Sequence, residues 1–375
     1  MEFRDLKKQY QLHKAQIDAA IQEVVDGTHF ILGPQVALLE KELAQYTGTR
    51  HCIACANGTD ALQLALMAWE IGEGDAVFVP DFTFFSSGEV VPLTGAVPVF
   101  VDVEKDTYNI SADSLRGAIE YVIRNTDLRP RVVVAVDLFG RPADYQAIRQ
   151  IADQYGLLLL EDGAQSFGGM ADGRKTCSFG DISTTSFFPS KPLGCYGDGG
   201  AVFTDNEEWA KRLASLRLHG KGSDKYDNVR IGMNSRLDTI QAAVLLQKLG
   251  FLEEELEACG QVAAKYTECL KDAVQTPADL GNMRSAWAQY TICLRDTKER
   301  ERVIAQMKAD GIPSAVYYKK PMHRQDAFAA KRIEAVPCEN TEYICARCLS
   351  LPFHPYLQEA EIEAVCKSIK SAVVQ

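Results

Sequence analysis

The feature that most constrains this chain is an alternation, from about residue 76 to 204, of short apolar runs with stretches of helical period. Ala76–Val79, Val97–Val101, Val132–Val136, Leu157–Leu160, Ser183–Phe187 and Ala201–Thr204 read as strands. Ser111–Arg124, entered through Ser111 or Asp113, and Ala143–Tyr155 read as helices between them. Such alternation specifies an α/β architecture built on a parallel sheet. Val132-Val133-Val134 and Leu157–Leu160 show no polar alternation, so both faces of those strands are expected to be buried. Upstream, Val36–Leu66 reads as largely helical, interrupted at Asn57-Gly58. Downstream come a helix over Glu207–Leu218, a polar loop over His219–Ser235 and a long helical stretch from Arg236. Strand text at Ala288–Leu294, a helix over Lys298–Asp310, a strand over Ser314–Tyr318 and an amphipathic helix from about Gln358 complete the chain. The expected division is a large domain over 1–245, with a mixed or parallel sheet, and a smaller C-terminal α+β domain over 246–375.

Composition narrows the function. A chain of 375 residues exceeds one ordinary core. Its formal charge of −11 argues against broad nucleic-acid binding, which needs a basic face. An acidic protein can still hold a small anion, given a few placed donors. The N-terminus, Met-Glu-Phe-Arg-Asp, has no apolar signal core, and no apolar stretch is long enough to cross a membrane. Eleven cysteines, an odd number, point to reduced thiols and hence to the cytoplasm. Cys52/Cys55 and Cys345/Cys348 form Cys-x-x-Cys pairs, but no His or Cys cluster of finger-like spacing flanks either, so no metal is expected.

Three segments carry the chemistry: Ala56-Asn57-Gly58-Thr59-Asp60-Ala61, Glu161-Asp162-Gly163-Ala164-Gln165-Ser166, and Ser186-Phe187-Phe188-Pro189-Ser190-Lys191. Each lies where a strand or loop gives way to a turn or helix, the place where open α/β sheets bind ligands. Pyridoxal phosphate requires a lysine amine for its aldehyde, a carboxylate for its ring nitrogen and N–H and O–H donors for its phosphate. Asp162 ends an apolar strand and would project its carboxylate at the sheet's carboxyl edge. Lys191 follows one strand later. Gly58 and Thr59 open a helix whose first N–H groups suit a phosphate, Ser186 adds a hydroxyl, and Phe84 is a candidate for the ring face. Taken singly each has a plainer reading: a cap, a turn, a surface lysine, a core phenylalanine. The glycines at 194, 197, 199 and 200 lack Gly-x-Gly-x-x-Gly spacing and precede a strand, which excludes a dinucleotide fingerprint.

Gly58-Thr59-Asp60-Ala61-Leu62, Glu161–Gly168 and Ser186–Gly200 resemble the DegT-type nucleotide-sugar aminotransferases, which are fold-type I pyridoxal-phosphate enzymes. The resemblance runs from Gly33-Pro34 to Leu351-Pro352-Phe353-His354-Pro355. The block from Ser186 to Gly200 looks most like the branch that aminates a UDP-linked 3-keto hexuronate for bacterial surface polysaccharide. It implies that Lys191 holds the cofactor as a Schiff base and shuttles the proton, and that Asp162 pairs with the ring nitrogen. Gln165 would touch the ring's 3-oxygen, and Gly58, Thr59 and Ser186 the phosphate. Asn234 would reach the phosphate of a neighbouring subunit, and Arg236 the substrate carboxylate across that interface, in a homodimer with shared sites. Ser190, Tyr317 and Tyr318 would line the sugar site, and His29 and Phe30 would touch the nucleotide sugar. The implied reaction moves an amino group from glutamate to the keto group of UDP-2-acetamido-2-deoxy-3-oxo-glucuronate. Tyr317 departs from the family pattern, which has histidine there; it can donate a hydrogen bond but carries no positive charge near neutral pH. Another UDP- or dTDP-keto sugar, and a non-catalytic cofactor-binding regulator, stay open as alternatives. A dehydratase on the same fold would have histidine in place of Lys191.

Overall fold

The computed structural model describes residues 1–224, 226–330 and 336–373. Two helices lead the chain, α1 (Leu6–Gly27) and α2 (Pro34–Thr47), followed by β1 (His51–Cys55) and α3 (Gly58–Ala68). Then come β2 (Asp75–Pro80), α4 (Ser86–Leu93), β3 (Val97–Val101), α5 (Ala112–Asn125), β4 (Arg129–Val136), α6 (Tyr145–Tyr155) and β5 (Leu158–Asp162). A two-residue hairpin, β6 (Met170–Ala171) and β7 (Arg174–Lys175), precedes β8 (Ile182–Ser186) and β9 (Gly200–Thr204). The rest comprises α7 (Glu207–Leu216), α8 (Thr239–Leu249), α9 (Leu252–Leu270), β10 (Tyr290–Cys293), α10 (Thr297–Ala309), α11 (Glu339–Cys345), β11 (Cys348–Leu351) and α12 (Glu359–Val373).

Seven strands form one sheet in the order β1-β9-β8-β5-β4-β2-β3. The run from β3 to β8 is parallel, whereas β9 lies antiparallel to both β8 and β1. The α/β class read from the apolar runs holds, with a mixed sheet. Burial explains it: Val132, Val133, Val134, Leu159 and Leu160 are fully enclosed, so neither strand face tolerates a polar residue. Alternate residues of β2 and β4 feed two separate cores on opposite faces of the sheet, Val77 and Val132 in one, Ala76 and Val133 in the other.

Two expected elements differ. His51–Cys55, read as helical, is the edge strand β1, paired residue by residue with Thr204–Gly200. Ser314–Tyr318 is not a strand; only Ala315 pairs, exchanging backbone bonds of 3.1 and 2.7 Å with Ser350. The helical stretch expected from Arg236 begins at Thr239. The boundary expected at 245/246 falls inside α8, which packs against α1 and α2. The helix α9 connects two cores: Leu252 and Leu256 join that of α2 and α8, and Cys259, Val262, Tyr266 and Leu270 join that of β10, β11 and α12. No helix among the described residues is long and apolar enough to cross a membrane.

Candidate active site

The topology brings the carboxyl ends of β2, β4, β5 and β8 to one edge, where Asp81, Asp137, Asp162 and Ser186 emerge. Antiparallel pairing sets Gly200 opposite Ser186 on one side and opposite Cys55 on the other, so Asn57-Gly58 reaches the same edge. Space there is tight. A Cβ on Gly58 would lie 2.7 Å from Ser186 Cβ, and one on Gly200 would lie 2.5 Å from the Asn57 carbonyl oxygen. Asn57 caps α3 by accepting the Asp60 N–H at 2.8 Å, and the N–H groups of Gly58 and Thr59 belong to the first helical turn, which lacks intrahelical acceptors. The Thr59 hydroxyl lies 2.7 Å from that of Ser86, and Ser186 Oγ accepts the Phe188 N–H at 3.3 Å.

Asp162 is 4 % exposed. Its carboxylate accepts the Ser87 hydroxyl at 2.7 Å and the Ala164 N–H at 3.2 Å. Burial pushes its carboxyl above the ordinary range, opposed by those two bonds and by the Lys191 charge. Lys191 occupies a turn closed by its own N–H to the Phe188 carbonyl at 2.9 Å, anchored through buried Phe187 to Gly199 at 2.7 Å. Burial lowers its amine to about 8, against the pull of Asp162 and with help from Arg4. Its Nζ has no hydrogen-bond partner among the described residues. Gln165 is held at both ends: Oε1 accepts the Phe139 N–H at 2.7 Å, which directs Nε2 to the Tyr318 hydroxyl at 3.2 Å. Phe84 is half open, its ring centroid 6.3 Å from that of Tyr318. Tyr317 packs edge-on against Phe3 and Tyr318, and Ser190 sits half-buried in the lysine turn.

A second group borders the Asn57-Gly58 end of this edge, where the Ala56 N–H donates to the Ser235 hydroxyl at 3.1 Å. Asn234 and Arg236 line an open cavity of about 450 Å³ with Ile31, Asn57, Asp198, Asp238 and Gln241. His29 and Phe30 approach this region through the Phe30 carbonyl, which accepts the Thr239 N–H at 2.9 Å. No hydrogen bond or ion pair among the described residues joins Asn234 or Arg236 to Lys191, Asp162 or Gln165.

Residues 11–370 match the DegT/DnrJ/EryC1/StrS aminotransferase family. The chain belongs to that family. It is an aminotransferase by that membership. Over 370 residues it is 43 % identical to the UDP-2-acetamido-2-deoxy-3-oxo-D-glucuronate aminotransferase of Pseudomonas aeruginosa, covering 98 % of this chain and 99 % of that one. The crystal structure of a DegT/DnrJ/EryC1/StrS aminotransferase from Brucella abortus superposes with a TM-score of 0.97 at 49 % identity, covering all of both chains. NtdA from Bacillus subtilis, solved with its cofactor PMP bound, superposes at 0.87 with 30 % identity, covering 97 % of this chain and 82 % of that one.

The residues at this sheet edge fit pyridoxal phosphate. A buried carboxylate beside a lysine amine with no hydrogen-bond partner suits a protonated ring nitrogen and an aldehyde. The narrow cradle that a Cβ at Gly58 would fill lies at a helix N-terminus, which suits a phosphate.

Two neighbours escaped the sequence reading. Ser87 bonds to Asp162 from 75 residues away, and the Arg4 guanidinium approaches the Lys191 carbonyl from 187 residues away, at 3.5 Å. No local pattern marks either residue; each acts through a long-range contact. Of the cysteines, Cys52 and Cys55 lie on β1, while Cys345 ends α11 and Cys348 opens β11. Asp81, His323 and Cys338 offer ligand atoms within 4.8 Å of one another. There, however, Asp81 already accepts the His323 N–H at 2.7 Å and meets its ring Nδ1 at 2.6 Å, an anchor for the loop beyond Pro321.

Proposed function

We propose that this aminotransferase uses pyridoxal 5′-phosphate to move an amino group from glutamate to the keto carbon of UDP-2-acetamido-2-deoxy-3-oxo-glucuronate, in the biosynthesis of a surface polysaccharide such as O-antigen. The observation that carries the reading is the pairing of buried Asp162 with the lowered amine of Lys191, on a chain similar end to end to an enzyme of that name. When bound, the cofactor supplies an aldehyde for the amino group and a protonated ring that accepts the electron pair left as a C–H bond breaks.

This chain's residues would divide the remaining work. Asp162, oriented by Ser87, holds the proton on the ring nitrogen; that positive charge in turn favours the carboxylate that burial disfavours. Lys191 would hold the cofactor through its aldehyde, and its Nζ, when free, would move a proton at the donor's α-carbon. An amine lowered to about 8 is neutral often enough near physiological pH to act as that base. Gln165, its carbonyl committed to Phe139, offers its N–H to the ring's 3-oxygen. Gly58, Thr59 and Ser186 receive the phosphate, Phe84 covers the ring face, and Ser190, Tyr317 and Tyr318 border the sugar.

A homodimer with shared sites is supported by the open cavity that Asn234 and Arg236 line beside Asn57, with no hydrogen bond among the described residues to Lys191, Asp162 or Gln165. It is also supported by the apolar side chains exposed beside the second group: Ile231 is 88 % exposed, Val229 54 % and Phe30 44 %. In the dimer Asn234 joins the neighbour's phosphate site, and Arg236 meets the uronate carboxylate, with His29 and Phe30 against the nucleotide sugar. The deciding experiment offers glutamate with UDP- and dTDP-linked keto sugars, uronate and neutral, and reads the amino-sugar products by mass spectrometry. The reading expects the UDP-3-keto uronate to be aminated fastest; equal rates on neutral sugars contradict it. Mixing inactive Lys191→Ala with inactive Arg236→Ala protein under subunit exchange should restore part of the activity, and no recovery contradicts the shared site.

A further inference from the structure

Two segments far apart in the sequence meet at the catalytic edge. The first follows β2. Its Phe82 ring packs edge-on against Tyr318 with centroids 5.8 Å apart, its Thr83 and Ser87 hydroxyls lie 3.1 Å apart, and Ser87 donates to Asp162. The second runs from Ala315 to His323 and carries Tyr317 and Tyr318. Ala315 fastens one end of it through the two backbone bonds with Ser350.

The other end is fastened to Asp81, the residue that follows β2, across 242 positions of sequence. The Asp81 carbonyl accepts the Met322 N–H at 3.0 Å. Its carboxylate accepts the His323 N–H at 2.7 Å through Oδ1 and meets the His323 ring Nδ1 at 2.6 Å through Oδ2. Asp81 is itself immobile, fully enclosed and bonded through its N–H to the Val101 carbonyl at 2.8 Å. On the far side of the ring, Nε2 lies 3.3 Å from Glu342 of α11, and Arg324 meets the same oxygen at 2.6 Å. The bond to Asp81 holds the imidazole above its ordinary pKa, which favours a charge-assisted contact.

Apolar contacts also hold this stretch. Met322 and Phe328 are buried, and the Phe328 ring lies 5.2 Å from Phe85 and 5.0 Å from Phe100. Apolar burial is non-directional, so it keeps the stretch down without fixing its register. The bonds at Asp81 are directional and do fix it. A slip of one residue would move an extended segment by roughly 3.3 Å, enough to break the 3.2 Å bond from Gln165 to the Tyr318 hydroxyl.

We propose that His323 is a positioning residue: clamped to Asp81, it sets the placement of Tyr317 and Tyr318 and thereby the affinity for the keto sugar. This rests on the reading that those tyrosines border the sugar. The imidazole itself touches no reacting atom in this account.

The test compares the wild-type holoenzyme with His323→Ala and His323→Asn, using the keto sugar that wild type aminates fastest. An asparagine amide can set an uncharged N–H near the place of Nδ1. His323→Ala should raise the KM for the sugar at least about tenfold, while kcat and the single-turnover rate with glutamate stay within about threefold. His323→Asn should recover most of the lost affinity. The proposal is overturned if His323→Ala leaves the KM within about twofold of wild type, or slows both half-reactions equally. An asparagine variant no better than the alanine variant overturns it too.

Should His323→Ala fail to fold, Asp81→Asn takes its place. That amide keeps an acceptor for the His323 N–H but loses the charge on the ring bond, so the sugar KM should rise at least about threefold; an unchanged KM overturns the proposal. Tyr317→Ala tests the parent reading separately. An unchanged sugar KM in that variant means that Tyr317 does not border the sugar, and both readings fall. A raised KM there, with none in His323→Ala, leaves the tyrosine in place and removes only the positioning role.

Discussion

Two lysines of this protein are shifted alike and surrounded differently. Burial lowers the amines of Lys191 and Lys248 to about 8. Lys248, 2 % exposed, donates to Gln9 Oε1 at 2.6 Å and lies 4.5 Å from the centre of the Tyr196 ring, and Gln9 in turn bonds to Glu255. That network ties α1, α8 and α9 together and gives the amine a hydrogen-bond acceptor and an aromatic face. Lys191 faces the Asp162 carboxylate across a site edge, its Nζ without a hydrogen-bond partner among the described residues. A perturbed pKa alone would nominate both residues. The partner inventory separates them: a structural lysine is satisfied within the protein, whereas a chemical one is held ready for something that arrives.

The same contrast appears within two consecutive residues of β5. Glu161 is fully enclosed and takes the N–H groups of Cys177, Phe179 and Gly180 and the Ser183 hydroxyl, so its charge organises the loop between β5 and β8. Asp162 points to the other face of the strand, with two donors among the described residues, toward Lys191.

The largest expected effect breaks the lysine comparison outright. Lys191→Ala should lower turnover by at least about 10³-fold while still binding cofactor through Asp162 and the phosphate donors. Lys248→Met should leave turnover largely intact. A turnover loss of similar size in both variants would erase the distinction. Next, Asp162→Ala should cost about 10²–10³-fold in the glutamate half-reaction, followed at the cofactor band, because the stabilised ring charge is lost where negative charge develops. A rate near wild type would mean that another group protonates the ring. A smaller effect is expected in stability. Lys248→Met should cost about 1–3 kcal/mol by urea denaturation, since it leaves Gln9 Oε1 buried without its donor.

The smallest effect is a pH dependence. A lowered lysine pKa means that the neutral amine appears at lower pH than in a solvated lysine, so reactivity rises with pH and levels off above the shifted value. In cofactor-free protein, acylation of Lys191 should therefore rise with a midpoint of about 8, rather than near the ordinary value of about 10.4. Lys248, enclosed and hydrogen-bonded, should stay unlabelled until the protein unfolds. Equal labelling of both would show that packing, rather than proton affinity, has been misjudged.

Much of this arrangement was legible in the residues. The parallel strands announced themselves because strands buried on both faces admit only apolar runs, and Asp162 stood out as a carboxylate ending such a run. β1 was hidden, since His51–Cys55 is too short for its period to be told from that of the neighbouring helices. The antiparallel placement of β9 was hidden too, because it depends on which edge the loop from Lys191 to Gly199 returns along. Ser87 and Arg4 were invisible for a related reason: a serine and an arginine carry no local sign of a contact made 75 or 187 residues away. Local pattern reports what a residue needs, and the fold decides who supplies it.

The central claim is that Lys191, and not the equally shifted Lys248, is the amine that holds the cofactor. Borohydride reduction of the holoenzyme, followed by proteolysis and mass spectrometry, tests it directly. The account predicts one cofactor-modified peptide, containing Lys191. Modification of Lys248, or of any lysine other than Lys191, would contradict it.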